Sequence, residues 1–282
     1  MKLSKKIISE AISQNIIAAI DEDIKSADRS SSLIPSNVKG VASIKANQTA
    51  ILCGKPWFEA CFKAIDKKIK FKWDVDEGQS FKKNQVICTI YGKYNKLLEG
   101  ERVALNFLQT LSATATSTNK LVNKIALTSS SLLDTRKTIP GLRVAQKYAV
   151  KIGGGLNQRL GLYDEILIKE NHIKSYGSIQ ATLENTKNYL KTKNYQIEVE
   201  NINQLAIALR YGAKNILLDN FSVLNAKKAI SINKGKAVLE VPGNIDIHNI
   251  LDYAKIGIPR ISVGAITKNI EAIDFSMIID TI

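Results

Sequence analysis

The chain has 282 residues, 45% of them apolar and 23% charged, with a formal net charge of +14. That composition fits a globular protein with one large domain or two smaller ones. No apolar run approaches the roughly 18–20 residues of a membrane span, and two histidines are too few for a His-rich metal site.

A basic excess of this size suits a polyanionic partner such as nucleic acid. The kind of cation qualifies that reading, because 33 of the basic residues are Lys and only 7 are Arg. Four of the seven (Arg102, Arg136, Arg143, Arg159) fall within 58 residues, where uniform scatter would put about 1.4. Scattered Lys reads as a solvated surface. Clustered Arg, the residue suited to bidentate contact with carboxylate or phosphate, points to a focused small-anion site.

The first segment, "MKLSKKIISEAISQNIIAAIDED", places Ile8, Ile12, Ile16 and Ile20 at helical spacing and predicts an amphipathic helix. Glu10, Asn15 and Asp21 interrupt the apolar run a signal peptide needs. Cys53, Cys61 and Cys88 lack metal-ligand spacing, and their odd number favours reduced thiols in a cytoplasm. "KIKFKWDVDEG" and "QVICTIYGK" alternate around a Gly-containing turn and predict antiparallel strands in a mixed α/β domain over residues 1–111. Residues 63–96 interleave nine lysines with Phe71, Trp73 and Phe81, as a nucleic-acid-binding face would. "GERVALNFLQTLSATATSTNKLVNKIA" predicts a long helix joining two domains.

Beyond residue 130, short apolar runs ending in a polar residue or glycine alternate with helical patterns. The runs are "SSLLDTR", "DEILIKEN", "YQIEVEN", "NILLDN", "AVLEVPGN" and "RISVGAI". Glu198, Asp219, Glu240 and Gly264 mark strand ends 21, 21 and 24 residues apart. "INQLAIALRYGA" and "IDIHNILDYAKIG" read as intervening helices, stopped at Gly212 and Gly257. Strand–helix repeats of this period mean parallel βα units. Six decorated strand ends favour a barrel with one shared mouth over an open sheet. The barrel is expected over residues 112–267, with residues 268–282 packing back on the first domain.

Arg136 and Lys137 follow Asp134 at the first strand end, and Arg159 and Lys169 lie near the ends of the next unit. Four cations at one mouth call for anions. A Schiff-base role for Lys169 is the rival, but that chemistry needs no such neighbours. Glu198, Glu200 and Asp219 are either salt-bridge partners of these cations or hard oxygen donors to Mg²⁺ and ribose hydroxyls. "EVPGNI" and "SVGAI" carry Gly243 and Gly264 on the last two strands, where barrels build phosphate cradles. "KIGGGLNQRLGL" lacks the strand that a dinucleotide loop must follow, and reads instead as a mobile loop delivering Arg159.

The stretches "ERVALNFLQTLSATAT", "LLDTRKTIPGLR", "KYAVKIGGGLNQRLGLYDEILIKENHI", "IEVEN", "ILLDN" and "SVGAITK" closely resemble the quinolinate phosphoribosyltransferases. The resemblance covers nearly the whole chain and is most specific over residues 132–173. It implies an N-terminal α/β sandwich followed by an irregular parallel α/β barrel of the type II phosphoribosyltransferase kind, assembled as a homodimer or a dimer-based hexamer. It also implies phosphoribosyl transfer from phosphoribosyl pyrophosphate to quinolinate, with release of pyrophosphate and CO₂ and formation of nicotinate mononucleotide for de novo NAD synthesis. By the same resemblance, Arg136, Arg159 and Lys169 hold the quinolinate carboxylates, with Thr135 and Gln158 beside them and Arg102 supplied by a neighbouring subunit. Lys137 lies on the pyrophosphate side, and Glu198 and Asp219 face the ribose and Mg²⁺, directly or through water. Lys169, Glu198 and Asp219 form the catalytic set. The 5′-phosphate rests on Pro242, Gly243, Asn244, Ser262, Val263 and Gly264. Membrane and nucleic-acid partners are not expected.

Three positions depart from the family pattern. Gln158 stands where His is usual before the Arg, Pro242 replaces a Ser, and Ala113 replaces the Gly of the usual "SGIAT". Two other readings compete with the enzyme: a related phosphoribosyltransferase-like protein of molybdenum uptake, and a basic nucleic-acid-binding protein. Retention of the full Arg/Lys set argues against the first.

Overall fold

The computed structural model describes residues 3–191 and 194–282. They cluster into two compact units that are not consecutive blocks of chain. A sheet unit holds residues 3–119, Thr138–Gly154 and Thr267–Ile282, and a barrel unit holds Lys120–Lys137 and Gly155–Ile266.

In chain order the structure begins with α1 (Lys5–Asp23), whose first turn is closed by Ser4 Oγ accepting from the Ile7 amide. Then come β1 (Lys39–Ala46), β2 (Ala50–Ile51), α2 (Lys55–Ile65), β3 (Lys70–Trp73), β4 (Ser80–Phe81), β5 (Val86–Lys93) and α3 (Tyr94–Lys124). The long helix thus begins six residues before Gly100, where its pattern was read. β6 (Ser131–Leu133) and α4 (Arg143–Ile152) follow. The remaining barrel elements are β7 (Ile166–Ile168), α5 (Glu170–Tyr176), α6 (Ile179–Leu190), β8 (Tyr195–Val199), α7 (Ile202–Arg210), β9 (Asn215–Leu218), α8 (Val223–Asn233), β10 (Val238–Val241), α9 (Ile250–Lys255) and β11 (Arg260–Ser262). The chain closes with α10 (Ala265–Lys268) and β12 (Phe275–Thr281).

In the sheet unit, four antiparallel strands take the order β12-β1-β5-β3. β1 shows the period of a half-buried strand: Gly40, Ala42, Ile44 and Ala46 are buried, while Val41, Ser43 and Lys45 are not. Its inner face packs in one core with Trp57, Phe58 and Phe62, each fully buried and each contributing roughly 1.5–3 kcal/mol. Phe58 is also edge-on to Phe71 and Trp73, and Phe81 is 1% exposed. The aromatics that gave residues 63–96 the look of a nucleic-acid-binding face therefore point into this core.

In the barrel unit, six parallel strands run β6-β11-β10-β9-β8-β7, so consecutive strands are neighbours from β7 to β11 and β11 returns beside β6. Every apolar run read from the sequence is one of these strands. The edges, β6 and β7, are consecutive in the chain. Leu156, in the loop before β7, forms a parallel bridge with Leu133 and so extends the β6 edge. This is the barrel's irregularity. Gly212 and Gly257 close α7 and α9 with φ of 78° and 87°, values that cost glycine nothing.

The "GGG" run also has a packing reason. A Cβ on Gly153 would lie 2.5 Å from the Ala115 carbonyl oxygen and 2.7 Å from Thr118 Cβ, both on α3. Gly153→Ala is therefore expected to destabilise the protein by about 1–3 kcal/mol, read as a lower urea midpoint with an unchanged m-value.

Candidate active site

All six barrel strands send their C-terminal ends to one cavity of about 350 Å³, within the range of small-molecule sites. After β6, Thr135, Arg136 and Lys137 enter it. Gln158 and Arg159 arrive from the loop before β7, and Lys169 follows β7 directly. Glu198 comes from β8, Asp219 from the end of β9, Pro242 and Gly243 from the end of β10, and Ser262 and Gly264 from β11 and just beyond. Three expected residues do not line it. Val263 is buried and donates its amide to Leu133 O, Asn244 is exposed with its carbonyl taken by Asn249 Nδ2, and Arg102 is exposed on α3 of the sheet unit. Of the four clustered arginines, Arg136 and Arg159 line the cavity. Arg143 starts α4 in the sheet unit, where its Nε donates to Thr138 Oγ1.

Asp134, fully buried two residues before Arg136, ties the β6 end to the segment that carries Arg159. Its Oδ1 accepts the Gln158 amide at 2.8 Å and its Oδ2 accepts Asn157 Nδ2 at 2.6 Å. The backbone pairs alongside, with Asp134 N donating to Leu156 O and Leu156 N to Leu132 O. Further on, Arg159 Nη1 donates to Glu165 O and the Leu160 amide to Asp164 Oδ2. The loop expected to be mobile is fastened along its length.

Each end of the cavity carries unfavourable like-charge proximity. Partial burial and then the nearby Arg136 guanidinium lower the pKa of Arg159, against the opposing pull of Glu165 and Asp164. Burial raises the Glu198 carboxyl above the usual 4.5, and Asp219 adds to it while Lys169 opposes. Oppositely charged ligands would relieve both. Lys137 reaches the cavity across Gly264, where a Cβ would meet its Cδ at 3.0 Å and Thr135 Oγ1 at 3.3 Å. That contact, rather than an unusual φ, is the reason for glycine there. Lys169 itself caps α5, its amide donating to His172 Nδ1 at 3.0 Å.

Four cavity residues were not singled out from sequence as site residues: Leu167, Gln196, Leu217 and Glu240. Leu167 and Leu217 precede polar strand ends and form apolar wall. Glu240 was read only as a strand marker, and its neighbours Leu239 and Val241 gave no sign that a 1%-exposed carboxylate faces the site. Glu200, the third carboxylate read at the strand ends, lines a smaller adjoining cavity with Glu170 and Gln204, and shares Glu198 with the main one.

The raised Glu198 pKa has a stability consequence with a definite sign. Its folded value lies above its unfolded one, so its contribution favours the native state below the unfolded value and is lost as pH rises through the folded value. Glu198→Gln should therefore raise the urea midpoint at pH 7, and this gain should vanish as the pH falls to about 4.

The sequence matches the family model for the quinolinate phosphoribosyl transferase N-terminal domain over residues 28–112, and that for the C-terminal domain over residues 114–278. The solved nicotinate-nucleotide pyrophosphorylase of Francisella tularensis superposes with a TM-score of 0.92 at 42% identity, covering 96% of each chain. NadC of Streptococcus pyogenes gives 0.93 at 32% identity, covering 100% of this chain and 99% of its own. The probable nicotinate-nucleotide pyrophosphorylase [carboxylating] of Bacillus subtilis is 34% identical over 257 residues, 91% of this chain and 89% of that protein. Two domain models that together span most of the chain, and relatives alike over nearly their full length, make it a member of the quinolinate phosphoribosyltransferase family.

Proposed function

We infer that this chain transfers the phosphoribosyl group of phosphoribosyl pyrophosphate to quinolinate with loss of CO₂, giving nicotinate mononucleotide for NAD synthesis. The observation that carries the reading is the convergence of Arg136, Lys137, Arg159 and Lys169 with Glu198 and Asp219 in one cavity. Arg136, Arg159 and Lys169 take the two quinolinate carboxylates. Planar guanidinium forks suit that task, and a dicarboxylate offsets the repulsion between the arginines. Lys137 faces the pyrophosphate. The 5′-phosphate rests at the β10 and β11 ends, around Gly243 and Gly264.

In the reaction, the quinolinate ring nitrogen bonds to the anomeric carbon as the bond to pyrophosphate oxygen breaks. Positive charge builds on the ribose ring in between, and Glu198 and Asp219 are placed to stabilise it. The nitrogen is cationic once ribosylated. The carboxylate beside it then leaves as CO₂, its bonding electron pair stays on the ring carbon stabilised by the adjacent cationic nitrogen, and a proton bonds to that carbon. The protein's part is to hold the ring by its carboxylates. Glu198 and Asp219 also fit Mg²⁺ as hard oxygen donors. No group of three or more His, Cys, Asp or Glu among the described residues is arranged to hold a metal, so Mg²⁺ held by Glu198 and Asp219 would draw its other ligands from water and substrate phosphate. When bound, Mg²⁺ neutralises the leaving pyrophosphate.

Arg102 is assigned to the site of a second copy in a two-fold dimer. The cytoplasm suits the three buried, unpaired cysteines, and no helix among the described residues is long and apolar enough to cross a membrane.

Turnover of quinolinate, measured as CO₂ release with phosphoribosyl pyrophosphate and Mg²⁺, tests the reading directly. Arg136→Lys keeps the charge and loses the fork, so quinolinate binding should weaken by roughly 1.5–3 kcal/mol with phosphoribosyl pyrophosphate binding little changed. Near-normal quinolinate affinity would make Arg136 structural. For Arg102, Arg102→Ala and Lys169→Ala should each be nearly inactive. After joint unfolding and refolding, about half the dimers are mixed with one intact site each, and roughly a quarter of wild-type activity returns. No recovery, with subunit exchange verified by mass, excludes the shared site.

A further inference from the structure

A carboxylate at 1% exposure is costly to bury, and Glu240 places one in the wall of a cavity built to attract anions. It lies on β10, in register with Leu217 of β9 and Arg260 of β11. Gln158 Nε2 donates to both of its oxygens at 2.5 Å, and Gln196 Nε2 donates to its Oε2 at 3.0 Å. Both glutamines line the cavity as well. One comes from the loop before β7 and the other from β8, so the carboxylate ties together two separately built parts of the wall.

A glutamine amide can turn about its last torsion and face a ligand with either its oxygen or its nitrogen. An ionised carboxylate only accepts hydrogen bonds. Packed against two amides, it admits only their NH₂ ends and so fixes the sense in which each faces the site. Gln158 precedes Arg159, and its backbone amide is held by Asp134. Its side chain is therefore fastened by Glu240 and its backbone by Asp134.

We propose that Glu240 is a positioning residue of the quinolinate site, which sets the direction and hydrogen-bonding sense of Gln158 and Gln196 before substrate arrives. The proposal rests on the assignment of quinolinate to the end of the cavity formed by Arg136, Arg159 and Lys169. It also explains how glutamine serves at position 158, since its donor end is engaged by an acceptor that never changes sides.

Charge and geometry predict opposite outcomes when the carboxylate is neutralised. By charge alone, Glu240→Gln removes a negative group from beneath a dianion and should lower the KM for quinolinate. By positioning, an amide in its place can both donate and accept, the fixed sense is lost, and the KM should rise about tenfold. The KM for phosphoribosyl pyrophosphate should stay within about twofold.

The test is steady-state kinetics on the full-length protein with four variants: Glu240→Gln, Gln158→Ala, the double variant, and Arg136→Lys as a control. If Glu240 acts largely through Gln158, the double variant should exceed the worse single variant by no more than about twofold. A lowered or unchanged quinolinate KM in Glu240→Gln, equal rises in both KM values, or fully multiplicative losses in the double variant would each overturn the proposal. Normal quinolinate KM in Arg136→Lys would instead make Arg136 structural and remove the placement of quinolinate at this end of the cavity, and this proposal with it. Should Glu240→Gln fail to fold, Glu240→Asp carries the test. It keeps the charge but shortens the reach by one methylene, so positioning predicts a raised quinolinate KM and charge alone predicts none.

Discussion

The active-site geometry depends on one buried carboxylate, Asp134. Two residues downstream lies Arg136, and through its bonds to the Gln158 amide and Asn157 Nδ2 the same side chain sets the place of Arg159. The two arginines would repel each other if left alone, and the partial burial of Arg159 sharpens that repulsion. A fully buried carboxyl group bonded to the backbone beside one and two residues from the other resists their separation. Such an arrangement suits an enzyme that must present cations to a dianion without reorganising first.

The cost of that readiness is spread over the cavity. Arg136 adds to the lowering of the Arg159 pKa and Asp219 to the raising of that of Glu198, so each pair carries a like-charge conflict that its oppositely charged neighbours Glu165, Asp164 and Lys169 oppose. A stable protein tolerates this where binding supplies the missing charge, so the conflict is concentrated where substrate arrives. Around it, backbone pairing, caps and packed glycines hold the strand ends rigidly. Ser178, Asn201 and Ser222 each cap the helix that follows them, fixing where α6, α7 and α8 begin.

Much of this was legible in the sequence because parallel strands leave a strong trace: an apolar run, a polar end, and a helix stopped by glycine. That trace located all six barrel strands and most of the cavity wall. It did not show that Glu240 faces the site, since a glutamate between Leu239 and Val241 reads as the end of a strand and nothing local marks its glutamine partners. Nor did it show that α4, between two barrel strands in sequence, clusters with the sheet unit. Local periodicity says that a helix is amphipathic, not which core its apolar face will meet. The aromatics of residues 63–96 were ambiguous for the same reason, because their spacing among lysines became informative only once Phe58 was known to pack edge-on to Phe71 and Trp73.

The pairing of β12 with β1 has a consequence for how the protein is made. β1 lies between β5 and β12 in its sheet, yet β5 ends at Lys93 and β12 begins at Phe275. On the ribosome, β1 can therefore acquire one neighbour early and must wait for the other while 182 positions are traversed, roughly 10–40 s at typical elongation rates. Throughout that interval a nascent sheet with an open edge is exposed to other chains. Lys39 and Lys45, near the two ends of β1, place charge along that edge, a common safeguard against strand-to-strand aggregation. From β7 to β11 each barrel strand pairs with the one just synthesised, whereas β6, ending at Leu133, waits for β11, which begins at Arg260. Both units thus close late: the barrel when β11 reaches β6, and the sheet when β12, beginning at Phe275, reaches β1.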